Sequence, residues 1–64
     1  MKKAMVPFKV SNMEGLIWLD VLQINSVIAT ERGTSITLIG DPDPYIVETP
    51  AEEVIQTIKA NLSL

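Results

Sequence analysis

Residues 16–40 read LIWLDVLQINSVIATERGTSITLIG, and this stretch decides the fold. In Leu16–Val21 the residues Ile17, Leu19 and Val21 share one face, and Leu16, Trp18 and Asp20 share the other. Large apolar groups on both faces mark a strand covered on two sides. The apolar character continues through Ile24, Val27, Ile28 and Ala29, yet one straight strand from 16 to 31 would be unusually long. A β-bulge or short turn is therefore predicted near Gln23, Asn25 and Ser26. Arg32-Gly33-Thr34 separates two β-rich runs, so Val27–Glu31 and Ser35–Ile39 form a hairpin with Gly33 at the positive-φ position. Along the second of these strands Ile36 and Leu38 face one way, and Ser35, Thr37 and Ile39 face the other.

Upstream, Val6, Phe8 and Val10 alternate with Met5, Pro7 and Lys9, the period of a half-buried strand. Pro7 has no N–H and belongs on a sheet edge or at a strand start. Ser11–Gly15 is turn chemistry, with Asn12 and Gly15 tolerant of positive φ, and closes a hairpin onto Leu16–Val21. Downstream, Gly40-Asp41-Pro42-Asp43-Pro44 is a loop, since two prolines and two aspartates sustain neither ladder nor helix. Tyr45–Glu48 is a short final strand. Thr49-Pro50-Ala51-Glu52 then reads as a capping box with proline at the first helical position. Ala51, Val54, Ile55, Ile58 and Leu62 recur at helical spacing, with Glu52 and Glu53 early and Lys59 late, so a helix is predicted over about residues 50–61. The predicted architecture is α+β. An antiparallel β-meander of four to five short strands is followed by one C-terminal amphipathic α-helix, all in a single small domain over residues 1–64.

Composition narrows the function. Five basic against eight acidic residues give a net charge of −3, unfavourable for tracking a phosphate backbone by charge alone. The chain has neither cysteine nor histidine, which removes thiol nucleophiles, disulfides, the usual zinc sites and the usual general base. No apolar run approaches the roughly 18 residues of a membrane span, and Pro7 and Lys9 interrupt any signal-like segment. A small, non-enzymatic, cytoplasmic domain without cofactor or metal is the expectation. Burial against chain entropy comes out near zero at this length, so burial against another chain is expected to make up the difference.

Each candidate site has a plainer competitor. Asp41 and Asp43, two residues apart, could contribute to a hard-cation site, but Asp-Pro pairs usually bond local amides in turns. Glu52 and Glu53 point about 100° apart on a helix and form no acid–base dyad. Asp20, among apolar neighbours, is either a buried carboxylate or the start of a solvent face. The serines and threonines have no histidine to activate them. Lys2, Lys3 and Lys9 form a basic N-terminal arm that could touch phosphate, although terminal lysines are more often simply solvated. Asp41, Asp43, Glu48, Glu52 and Glu53 form an acidic stretch that could meet a basic partner.

Leu16, Trp18, Val27, Ile39 and Ile46 fall, by alternation, opposite the core set of Ile17, Leu19, Ile28, Ile36, Leu38 and Val47. One helix covers one sheet face, so these five are expected to form an interface in a homo-oligomer, most simply a two-fold dimer, with Trp18 at its centre. The alternative is a register break near Gln23 that turns some of them inward.

The order of features from Gly15 onward resembles the small FlbD-type proteins linked to flagella and swarming. The shared elements are the Asn12–Gly15 turn, the isoleucine-led strand of Ile24, Val27 and Ile28, and the hairpin strand of Thr34, Ile36, Thr37 and Leu38. They continue through the strand end at Val47 and Glu48 to the Glu53-Val54 pair opening the helix. This chain carries the proline-rich 40–44 loop where that family has a short Asn-Gly turn, and it lacks a basic C-terminal tail. Residues 22–58 also resemble the strand-hairpin-strand-helix core of LytTR-type DNA-binding domains. A phage or mobile-element accessory protein that binds and inhibits a host factor would share the size, charge and lack of catalytic residues. The expected function is a protein–protein interaction module, with a nucleic-acid-binding regulator as the alternative.

Overall fold

Strands β1 (Met5–Lys9) and β2 (Leu16–Asp20) form an antiparallel ribbon in the computed structural model, which describes residues 3–62. Asn12 (φ 61°) and Gly15 (φ 124°) take the left-handed backbone that the tight turn requires. Two hydrogen bonds bracket the ribbon, Val21 N–H to Ala4 C=O at 3.0 Å and Val10 N–H to Gly15 C=O at 3.4 Å. They set its parity. Ile17 and Leu19 bond to β1, whereas the Met5–Asp20, Pro7–Trp18 and Lys9–Leu16 pairs exchange no hydrogen bonds. Pro7 therefore gives up no ladder bond to β2.

A 3-10 turn, Val21–Gln23, then redirects the chain. Asp20 caps it: its Oδ1 accepts from Leu22 N–H at 3.1 Å and from Ala4 N–H at 3.2 Å. Strands β3 (Ile24–Thr30), β4 (Gly33–Leu38) and β5 (Tyr45–Val47) make a second antiparallel sheet in the order β3-β4-β5. The expected break in strand phase is thus a 3-10 turn together with a register shift between Ile24 and Ser26.

Among the described residues a single bridge runs between the sheets, Val10 to Val47, held by Ser11 N–H to Ile46 C=O and Glu48 N–H to Lys9 C=O, both 2.9 Å. Continuing that register would set Pro7 against Pro50, and neither can donate, so the pairing stops. Helix α1 (Ala51–Leu62) closes the structure against the 3-10 turn and β3. The core is Phe8, Leu19, Val21, Ile36, Val47 and Val54, drawn from both sheets, the turn and the helix. Thr34 is buried among them with its hydroxyl satisfied by the Thr49 carbonyl.

Two expectations are corrected here. The helix starts at Ala51, with Val54 N–H bonded to Pro50 C=O at 3.1 Å, so Thr49 lies one residue too early to cap it. Among the described residues neither the Thr49 hydroxyl nor the Glu52 carboxylate bonds to the helix start; Thr49 is held through its carbonyl instead. Second, Val27 packs against the core opposite Ile36, while Ile28, expected inside, is 56% exposed. The cause is the extra residue between Ile24 and Ser26, which shifts the alternation by one.

Candidate interaction surface

Because Ile17 and Leu19 point inward, strand alternation turns Leu16 and Trp18 outward, 61% and 57% exposed. The β1–β2 register sets Pro7 beside Trp18 and Met5 beside Asp20 on that outer face. Ile39, at the end of β4 and 62% exposed, approaches from the other sheet. Met5, Trp18 and Ile39 line one open groove together with Tyr45, and Lys3, Asp20 and Asp41 supply polar groups to the same groove. Two elements that are distant in sequence thus deliver a shared apolar strip with polar groups beside it.

Asp41 builds the wall of this groove that comes from the 40–44 loop. Its Oδ1 accepts from Asp43 N–H at 3.1 Å and its Oδ2 from the Tyr45 hydroxyl at 2.8 Å. The tyrosine hydrogen bond, then the Asp43 amide, hold the Asp41 carboxyl below its ordinary value. The same bond to Asp41 pushes the Tyr45 phenol up, since ionising it would remove the donor and face the carboxylate. Both Asp41 oxygens serve the turn. Asp43 contributes its amide to that turn, and among the described residues no three histidine, cysteine, aspartate or glutamate side chains gather to hold a metal ion.

Of the five residues assigned to an interface, Trp18 and Ile39 meet at the groove, and Leu16 lies on the Trp18 face near the other end of β2. Val27 turns to the core. Ile46 is half-buried on the outer face of the three-stranded sheet, opposite Ser35, in a separate depression beside Arg32. Met5 is the groove residue that the interface set lacked; its parity with Pro7 already put it outward.

The charged stretches do not stay separate. Lys9 forms an ion pair with Glu48, joining the basic arm to the acidic region. Lys3 lines the groove, and Lys2 lies outside the described residues. Glu52 and Glu53 occupy the first turn of α1, Asp41 and Asp43 the 40–44 loop, and Glu48 the position after β5, where it pairs with Lys9. No helix among the described residues is long and apolar enough to cross a membrane. Comparison with known proteins finds no match to this chain among family models, curated proteins or solved structures.

Proposed function

We propose that this chain is a non-enzymatic protein–protein interaction module that self-associates through its sheet and acts by occupying the surface of a partner protein. The supporting observation is the exposed strip of Met5, Trp18 and Ile39 along one groove. Fully burying side chains of this size is worth roughly 1.5–3 kcal/mol each, so a partner that covers them gains substantially. Tryptophan flanked by aliphatic groups and a polar margin is also the usual make-up of an interface centre. The carboxylates that might have served chemistry have structural partners: Asp20 caps a turn, Asp41 locks a loop and Glu48 pairs with Lys9. That last pair occupies one of the three lysines a nucleic-acid contact would use. The resemblance to FlbD-type proteins makes flagellar assembly and swarming the first processes in which to seek the partner.

Sedimentation equilibrium from micromolar to millimolar concentration tests self-association, and a monomer mass throughout removes it. Partner binding is tested by affinity capture with the native chain and a Trp18→Glu variant in parallel; a protein retained equally by both is not bound through this surface. Random-sequence duplex DNA at low salt tests the regulator reading, because any phosphate contact is strongest there.

A further inference from the structure

The geometry points to a specific mode of self-association: β2 of one copy pairs antiparallel, edge to edge, with β2 of a second copy about a two-fold axis at Trp18. This inference rests on the self-association proposed above and adds its register. The parity of the ribbon carries it. Ile17 and Leu19 bond to β1, so the N–H and C=O groups of Leu16, Trp18 and Asp20 point away from β1. Among the described residues the N–H and C=O of Leu16 and Trp18 and the N–H of Asp20 have no backbone partner, whereas the Asp20 C=O already accepts within the 3-10 turn it caps, and no strand pairs with that edge.

The edges differ in how they are protected. On β1, the side facing the second sheet carries Pro7 and Lys9, both of which discourage pairing. β3 carries the register shift between Ile24 and Ser26, a bulge of the kind that blunts an edge. The β2 edge, Leu16-Ile17-Trp18-Leu19-Asp20, has no proline, no lysine and no bulge, and its one charge already caps the 3-10 turn. An apolar edge of this kind is a template for a further strand.

A second copy fits that edge better than an unrelated strand. Centred on Trp18, antiparallel self-pairing sets Leu16 of each copy against Asp20 of the other and forms roughly four hydrogen bonds from the open groups alone, with each Leu16 N–H sharing the Asp20 C=O that also accepts within the 3-10 turn. It keeps the outer faces continuous, bringing the two Trp18 rings side by side. It also joins opposite charges. Glu14 is exposed just before β2, and Lys3 lines the groove at the far end beside Asp20. Antiparallel pairing brings Glu14 of each copy to the Lys3 end of the other.

Amide hydrogen exchange on the native chain, followed by NMR at dilute and concentrated conditions, reads the edge directly. Leu16, Trp18 and Asp20 are expected to slow more than roughly tenfold on concentration, while Ile17 and Leu19, bonded to β1 in either state, change far less. In a mixture of labelled and unlabelled native chain, the α-protons of Ile17 in one copy and Leu19 in the other face each other in a pair that exchanges no hydrogen bonds and are expected to give an intermolecular NOE. The two Leu16 α-protons are not, because they lie roughly 13 Å apart along the strands. Both results together support the pairing, and failure of either overturns it. If sedimentation shows a dimer while these amides stay fast, self-association stands and this register falls. If the chain is monomeric throughout, both fall. Edge amides that slow only when another protein's extended segment is added would likewise overturn pairing with a second copy.

Discussion

Pro7 sits directly across from Trp18 in the β1–β2 ribbon, in a pair that exchanges no hydrogen bonds. The proline's missing donor therefore costs that ribbon nothing, and its ring lies beside the indole on the outer face. On its other side the same missing donor helps confine backbone pairing between the two sheets to the Val10–Val47 bridge. One residue thus shapes both the exposed face and the opening between the sheets.

Trp18→Ala is expected to separate folding from association. The ring is more than half exposed, so in dilute solution the unfolding free energy should change by less than about 0.5 kcal/mol. Self-association should be lost. Circular dichroism at low concentration and sedimentation at high concentration check the two halves, and an unchanged oligomer mass would contradict the interface assignment.

Gly33→Ala should be far more damaging than Gly15→Ala. Both glycines have positive φ, 142° and 124°, and so share a backbone penalty on the order of 1–2 kcal/mol. A Cβ at Gly33 would also lie 2.2 Å from the Val47 carbonyl oxygen, whereas Gly15 has open space within 4 Å. Since β5 pairs with β4 at Thr34–Val47, the clash would push the strands apart. Urea denaturation of the two variants isolates the steric part, and equal losses would contradict it.

The Asp41–Tyr45 contact gives the 40–44 loop a defined pH window. The Asp41 carboxyl is lowered, so the contact is complete above the ordinary carboxylate value of 3.8 and is lost as pH falls through the lowered one. The Tyr45 phenol is raised, so the contact also survives past its ordinary value of 10.0 and is lost as pH rises through the raised one. In Tyr45→Phe the Asp41 carboxyl should titrate closer to 3.8, still held down by the Asp43 amide. Carbon-detected NMR titration of the side chain measures this, and an unchanged midpoint would mean the hydroxyl contributes nothing.

The inward and outward faces of β1 and β2 follow from alternation alone, because both strands are short and flank a clear turn. So do the helix, from its apolar spacing, and the 40–44 loop, from its prolines. The capping of α1 does not follow from the sequence, because Pro50 fits either the first helical position or the residue before it, and spacing does not distinguish them. The groove was half legible. Trp18 and Ile39 are marked by their faces, but their meeting depends on how the two sheets cross, and the Pro7–Pro50 limit on pairing is a three-dimensional fact. The Asp41 bond to the Asp43 amide follows from the Asp-Pro turn pattern, whereas its bond to the Tyr45 hydroxyl and the Asp20 bond to the Ala4 amide depend on groups brought near by the fold.

The strongest test of the second sheet lies at Val27 and Ile28. Straight alternation from Ile24 puts Ile28 inside, but Ile24 pairs with Leu38 and Ser26 with Thr37, so Asn25 has no partner and the phase shifts. Val27→Ala should then cost about 1.5 kcal/mol for two buried methylene equivalents, or more with a residual cavity. Ile28→Ala, although it removes more atoms, should cost under about 0.5 kcal/mol in dilute solution. Deleting Asn25 sharpens the contrast. If Asn25 is the extra residue, its removal joins Ile24 to Ser26 with Val27 still inward, and the chain should still unfold cooperatively. In an unbulged strand the same deletion would turn Val27 and Ile28 over and expose the wrong one. Denaturant midpoints of the three variants decide it: a larger loss for Ile28→Ala than for Val27→Ala, or an Asn25 deletion that fails to fold, would place the break elsewhere.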